Sequence, residues 1–271
     1  MLQALVLGAI QGLTEFVPIS SSAHLVLVPF LAGWQIPSLG FDVAIHIGTT
    51  LALIVYFRQE LVAMAAGVVR SLAGRGQPHD REMVRLVLLL AIASVPAVLA
   101  GVLLEGFFEG LYEQPHIVSV ELLVTAAMLL GAEGIYGRRD PGVARDLSRV
   151  GVWDAVVMGL LQATAIFPGV SRSGATISGG LVRGLTRDAA ARFAFLLGLP
   201  SILGAGLYKA GDIPPGTDVG TVVAASAVAG AVGFATIALL IRYLRTRTMR
   251  PFAWYCVALA VVSLAYWFQL R

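Results

Sequence analysis

The sequence predicts an all-α integral membrane protein: six transmembrane helices plus two re-entrant helical hairpins, arranged as an inverted repeat. Three observations predict it. Apolar residues make up 58% of the chain and charged residues 13%, where soluble domains sit near half and a quarter. The apolar residues also fall into uncharged blocks, such as 86–104, 222–241 and 252–270. Each is long enough to cross a hydrocarbon core of about 30 Å at about 1.5 Å per residue. Finally, two interrupted apolar segments, 1–32 and 150–186, resemble each other.

Taken in order, residues 1–32 form the first hairpin, broken near its middle by Pro, Gly and Ser. Spans follow at about 41–57, 86–104 and 117–136. The second hairpin, 150–186, precedes spans at 189–208, 222–241 and 252–270. Each half of a hairpin has about 13 to 16 residues, roughly 20 to 24 Å of helix, too short to cross comfortably. Arginines cluster in 58–85, 138–149 and 242–250, which the positive-inside rule places in the cytoplasm. The Lys- and Arg-poor loops 31–42, 105–116 and 209–220 then lie outside, and each hairpin begins and ends on one side.

The net charge of +3 is too small to argue for nucleic acid, and the basic residues read as topology signals. The first charge is Glu15, so the N-terminus lacks the basic leader of a signal peptide. The single cysteine, Cys256, excludes an intramolecular disulfide and a cysteine metal cage. Residues 1–271 read as one membrane domain. Glycine-rich faces such as 224–233 allow close helix packing within or between chains, so a homodimer is open.

GAIQGLTEFVPISSSA (8–23) aligns with GLLQATAIFPGVSRSG (159–174). Gly8, Gln11, Phe16, Ser20 and Ser22 match Gly159, Gln162, Phe167, Ser171 and Ser173 at a constant offset of 151. Three crossings separate the copies, and an odd number inverts the second. Inverted repeats with broken helices place their site near the bilayer midplane, so the tips 18–22 and 168–174 should face each other across a polar cavity, giving halves of about 1–136 and 150–270.

The second tip suits an anion. Arg172 offers a fork of donors matched to phosphate oxygens, and Ser171, Ser173 and Thr176 add hydroxyls. Gly169 and Gly174 let the backbone approach closely, and a helix restarting near Ser173 presents free N–H groups. The plainer reading of Arg172 is a cation neutralised by a carboxylate for packing. The first tip supplies acid, base and nucleophile types. Gln11 and Glu15 share a helix face, and Glu15 can act as a base or hold a divalent cation. Ser20, Ser21 and Ser22 follow Pro18, where capping alone accounts for one of them. His24 lies one turn from Ser21 and can shuttle a proton. His46 and Thr49 could line the cavity. Glu121 and Glu133 read as interfacial, Arg192 and Lys209 as boundary residues, and Asp154 as a cap.

QGLTEFVPISSSAH (11–24) and FPGVSRSGATISGG (167–180) resemble the bacterial undecaprenyl-pyrophosphate phosphatases. The family signature is Glu or Gln, three residues, then Glu, followed by Pro-x-Ser-Ser and a His; its second half is Pro-Gly-x-Ser-Arg-Ser-x-x-Thr. The likeness extends through IHIGTTLALIVYF (45–57) and PFAWY (251–255). It implies hydrolysis of undecaprenyl pyrophosphate to the monophosphate in the bacterial inner membrane, recycling the lipid carrier for cell-wall sugars with a divalent cation, Mg²⁺ or Ca²⁺. By motif position it implies Glu15, Ser21, His24 and Arg172 as catalytic residues, Glu15 also as metal ligand, and Ser171, Ser173 and Thr176 as site residues. Many members have Glu where this chain has Gln11, so Glu15 stands without a second carboxylate. Ser21 is the expected nucleophile, with direct attack by water as the alternative. A lipid or solute transporter on the same inverted-repeat scaffold is the rival function.

Overall fold

The computed structural model describes residues 1–35, 39–108, 111, 114–208 and 218–270, and among them it contains helices and no strand. The chain runs through α1 (Leu2–Thr14), α2 (Ser21–Ala32), α3 (Leu39–Tyr56), α4 (Arg58–Leu72), α5 (Pro78–Phe108), α6 (Pro115–Tyr136), α7 (Val152–Ala163), α8 (Arg172–Val182), α9 (Arg187–Tyr208), α10 (Val219–Leu244) and α11 (Arg250–Gln269). The chain is a multi-pass membrane protein. Four helices, over 78–104, 115–136, 219–244 and 250–269, are long and apolar enough to cross a bilayer, and α3 with α4 makes a fifth if the bent pair is one span.

Four short helices, α1, α2, α7 and α8, occupy the two interrupted segments, with 13, 12, 12 and 11 residues. At about 1.5 Å per residue none exceeds about 20 Å. Each pair breaks at its Pro, Gly and Ser residues, because proline lacks the N–H that would continue the ladder. Long helices surround them. α1 and α3 pack on α10, while α7 and α9 pack on α5; α2 and α8 both reach α6, and α6 lies along α11.

The α1–α10 contact is backbone against backbone. A methyl group at Gly8 would strike the Ala225 carbonyl, and one at Gly12 would strike Ala229. Gly48 of α3 meets Ser226 and Gly230 in the same way. The glycine-rich face 224–233 is thus used within the chain, where α1 and α3 pack on it. Gly159 of α7 abuts the Ala93 carbonyl of α5, as Gly8 does on α10.

One expected loop is not a loop. Residues 58–85 hold α4 and the first two turns of α5. α4 turns 71° from α3 and buries Met64 and Gly67, leaving Val62, Val69 and Leu72 exposed. Its charged residues masked this amphipathic pattern. Arg70 on α4 holds Asp80 on α5 through paired hydrogen bonds of 3.1 and 3.0 Å. Of the loops assigned to the outside, 36–38, 109–110, 112–113 and 209–217, with Lys209, lie outside the described residues.

Candidate active site

The break after α1 and the break before α8 meet directly. Arg172, first residue of α8, forms an ion pair from Nη2 to Glu15 Oε1. Its Nη1 donates to the Gly198 carbonyl of α9 at 3.0 Å. Ser20 Oγ donates to the Pro168 carbonyl at 2.8 Å, and Ser173 Oγ to the Val17 carbonyl at 3.3 Å. An isolated charge near the centre of a membrane helix costs about 2.5–3.5 kcal/mol even on the mildest scales. The ion pair offsets that cost for both partners, as the packing reading of Arg172 expects.

Glu15 is the hub. It is buried, one residue beyond the end of α1. Its Oε2 accepts from Gln11 Nε2 at 2.9 Å and from Ser21 Oγ at 2.7 Å. His46 Nε2, from α3, lies 3.3 Å from the same oxygen. The His46 ring is fixed in turn by Nδ1, which donates to the Asp42 carbonyl at 2.8 Å and is 3.1 Å from Asp42 Oδ1. Spacing of four on α1 aligns Gln11 with Glu15. Ser21 reaches the hub because the chain reverses between α1 and α2.

That reversal needs an unusual backbone. Ser20 has φ 65 and ψ 102, the only positive φ at a non-glycine among the described residues. Such a conformation costs about 1–3 kcal/mol. It is held by the bond to Pro168, by the Ala23 N–H donating to Ser20 Oγ at 3.2 Å, and by His24 Nδ1 donating to the Ser20 carbonyl at 2.7 Å. His24 Nε2 lies 2.8 Å from the Tyr255 hydroxyl of α11, and the two rings stack. Both His24 nitrogens are therefore directed away from Ser21, whose hydroxyl proton points to Glu15 instead. Ser22 is half-buried on the first turn of α2.

Ser171 caps α8: its Oγ accepts from the Gly174 N–H at 3.0 Å and lies 3.2 Å from Ser173 Oγ. Thr176 Oγ1 donates back to the Arg172 carbonyl at 2.8 Å. The Gly169 backbone, expected to approach a phosphate, faces α6 instead. Its N–H donates to Glu121 Oε2 at 2.8 Å, and its carbonyl accepts from Thr125 Oγ1 at 3.0 Å. Gly169 lies so close to α6 that a methyl group there would collide with Glu121 and Val118. Glu121 is accordingly buried. So is Glu133, bound by Arg187 and the Met249 N–H. Asp154 caps Gly151 and also pairs with Arg145 and Arg183. Arg192 pairs with Asp188 and Glu60.

The family model described as "Bacitracin resistance protein BacA" matches residues 4–262. This chain belongs to the BacA family. Among BacA relatives, the undecaprenyl-diphosphatase of Pelotomaculum thermopropionicum is 44% identical over 269 residues, covering 97% of this chain and 96% of that protein. That of Pelobacter propionicus is 43% identical, covering 94% and 93%. Undecaprenyl-diphosphatase 2 of Streptomyces coelicolor is 38% identical, covering 96% and 92%.

Tyr255, Asp42 and Thr125 were not singled out from the sequence as site residues of this BacA chain. Asp42 and His46 carry a readable signal, two polar groups four apart at the start of an apolar helix. Tyr255 carries none beyond lying in PFAWY. A divalent cation would need oxygen donors here. Among the described residues no cluster of three His, Cys, Asp or Glu side chains could hold one. Gln11 Oε1, however, is buried without a hydrogen-bond partner beside Glu15. One carboxylate and one free amide oxygen suit a cation that takes its other ligands from phosphate and water, as Mg²⁺ commonly does.

Proposed function

We propose that this chain is a membrane phosphatase that hydrolyses undecaprenyl pyrophosphate to undecaprenyl phosphate and inorganic phosphate. One observation carries the reading beyond the family: Ser21 Oγ donates to Glu15, which Arg172 of the opposite tip holds. A nucleophile, its base and an anion-binding fork lie within one connected network.

Pyrophosphate binds by exchange. Its oxygens replace Glu15 as partner of the Arg172 fork, and the Arg172 and Ser173 N–H groups at the start of α8 add donors. The exchange frees Glu15 Oε1 from its cation, so the carboxylate can take the Ser21 proton. Ser21 Oγ then attacks the terminal phosphorus, the anhydride bond breaks, and undecaprenyl phosphate leaves. Water hydrolyses the phosphoserine to release inorganic phosphate and restore Ser21. Gln11 and His46 orient Glu15. His24 and Tyr255 hold the Ser20 turn, so His24 acts through the backbone rather than as the proton carrier of Ser21. A divalent cation, Mg²⁺ or Ca²⁺, held by Glu15 and Gln11 Oε1, would offset negative charge on the phosphates.

The setting follows the same reading. α3 and α9 join the four long helices as spans, and α1–α2 and α7–α8 are re-entrant hairpins. The halves 1–136 and 150–270 form an inverted repeat in the bacterial inner membrane. The recurring pairs, α1 and α3 on α10, α7 and α9 on α5, support it. Phosphate release from undecaprenyl pyrophosphate by purified protein in detergent tests the function. A transporter on this scaffold would release none.

A further inference from the structure

We propose that Glu121 and Thr125 of α6 are positioning residues that set the anion-binding loop 169–173. The inference rests on Arg172 being the pyrophosphate clamp.

Glu121 and Thr125 are four apart, so they share one face of α6. Both are buried, at 8% and 1% exposure. Together they engage three backbone groups of the loop. Glu121 Oε2 accepts the Gly169 N–H at 2.8 Å, Thr125 Oγ1 donates to the Gly169 carbonyl at 3.0 Å, and the same oxygen accepts the Ser171 N–H at 2.9 Å. A hydroxyl can donate once while accepting, so Thr125 uses its capacity in both directions. Residues 169–171 precede the first turn of α8, and α6 supplies the bonds that a helix would.

The consequence reaches the site through one peptide. Ser171 is the cap of α8 and Arg172 its first residue. Fixing Gly169 and the Ser171 N–H fixes where α8 begins, and with it the origin of the Arg172 side chain and the direction of its first N–H groups. Neither α6 side chain needs to touch substrate. Misplacing a binding group by about 1 Å can cost about 10²-fold in rate, so a loop held by three bonds has something to lose.

The test uses full-length protein in detergent. Thr125→Val keeps the shape and removes both hydrogen bonds; Thr125→Ser restores the hydroxyl. Glu121→Leu removes the acceptor, whereas Glu121→Gln keeps an acceptor oxygen. For each, kcat/KM on undecaprenyl pyrophosphate, competitive inhibition by inorganic pyrophosphate, and the melting temperature are measured. We expect Thr125→Val to lower kcat/KM about tenfold and weaken pyrophosphate inhibition in parallel, at a melting temperature close to wild type. Thr125→Ser should recover most of both. Glu121→Leu and Glu121→Gln should show the same contrast, which keeps the question answerable if Thr125→Val does not fold. Wild-type kinetics in both Thr125→Val and Glu121→Leu would overturn the inference. So would losses that follow melting temperature alone without changing pyrophosphate inhibition. Arg172→Lys separates the two levels: if it is impaired while Thr125→Val is not, only the positioning role fails. If Arg172→Lys has wild-type activity, the clamp itself fails.

Discussion

The two tips share one sequence pattern and carry different side chains on it. At the offset of 151, Ser20 corresponds to Ser171, and each caps its second short helix by accepting an N–H three residues on, from Ala23 and Gly174. Ser21 corresponds to Arg172, the first residue of α2 and of α8. Glu15 corresponds to Ile166. The nucleophile-type side chain and the fork thus sit at equivalent stations, and the base exists in one copy only. The backbones differ as well. Ser171 caps in a relaxed conformation at φ −69, while Ser20 caps at φ 65. The second tip takes its bonds from α6, whereas the first shares its bonds between its own residues, α11 and the second tip.

Four experiments break or sharpen that contrast. Ser21→Ala should have the largest effect, abolishing turnover while leaving lipid pyrophosphate binding largely intact, because the opposite tip does the binding. Residual hydrolysis within about 10²-fold of wild type would make water the nucleophile and Ser21 a hydrogen-bond donor. Arg172→Lys keeps the charge and loses the fork; turnover should fall about 10²-fold or more. The equivalent glutamines come next. Gln11 bonds the Glu15 carboxylate, whereas Gln162 bonds Ser201 Oγ at 2.9 Å on α9. A hydrogen bond to a charged group is worth about 1.5–3 kcal/mol, so Gln11→Ala should lower kcat/KM about tenfold or more and Gln162→Ala by less than about threefold. Equal losses would erase the functional difference between the copies. The last changes no rate: cysteine labelling in intact cells on a Cys256→Ser background should find the N-terminus and loop 31–42 on one side. Labelling from opposite sides would make residues 1–32 a plain span and end the comparison as one of inverted tips.

The long helices and the two breaks were legible because hydropathy and proline act locally. α10, expected at 222–241, occupies Val219–Leu244, and every hairpin half ends where Pro, Gly or Ser interrupts it. The residues that gather around the breaks were named for their chemistry, yet their partners were not. His24 stands one turn from Ser21 in sequence, but helix phase turns its ring to Tyr255, 231 positions away. Glu121 reads as an interfacial carboxylate, and nothing beside it in sequence names Gly169 as its partner. The charges of α4 suggest a loop, because they outweigh its apolar spacing in the sequence. Periodicity reports the element and its buried face; it carries no information about which distant element fills that face.

The conformation of Ser20 sets an order of events in the making of this protein. Its stabilising contact with Pro168 spans 148 positions of chain, and the Glu15–Arg172 pair spans 157. Membrane chains are delivered from the N-terminus, and the earlier part organises first. When α1 and α2 enter the bilayer, neither the carbonyl that holds the turn nor the cation that holds the carboxylate has been synthesised. Both contacts form only once the chain has been made through α8, and the Tyr255 contact behind His24 only once α11 follows. A chain cut before the second tip therefore lacks the partners that hold Ser20 and Glu15.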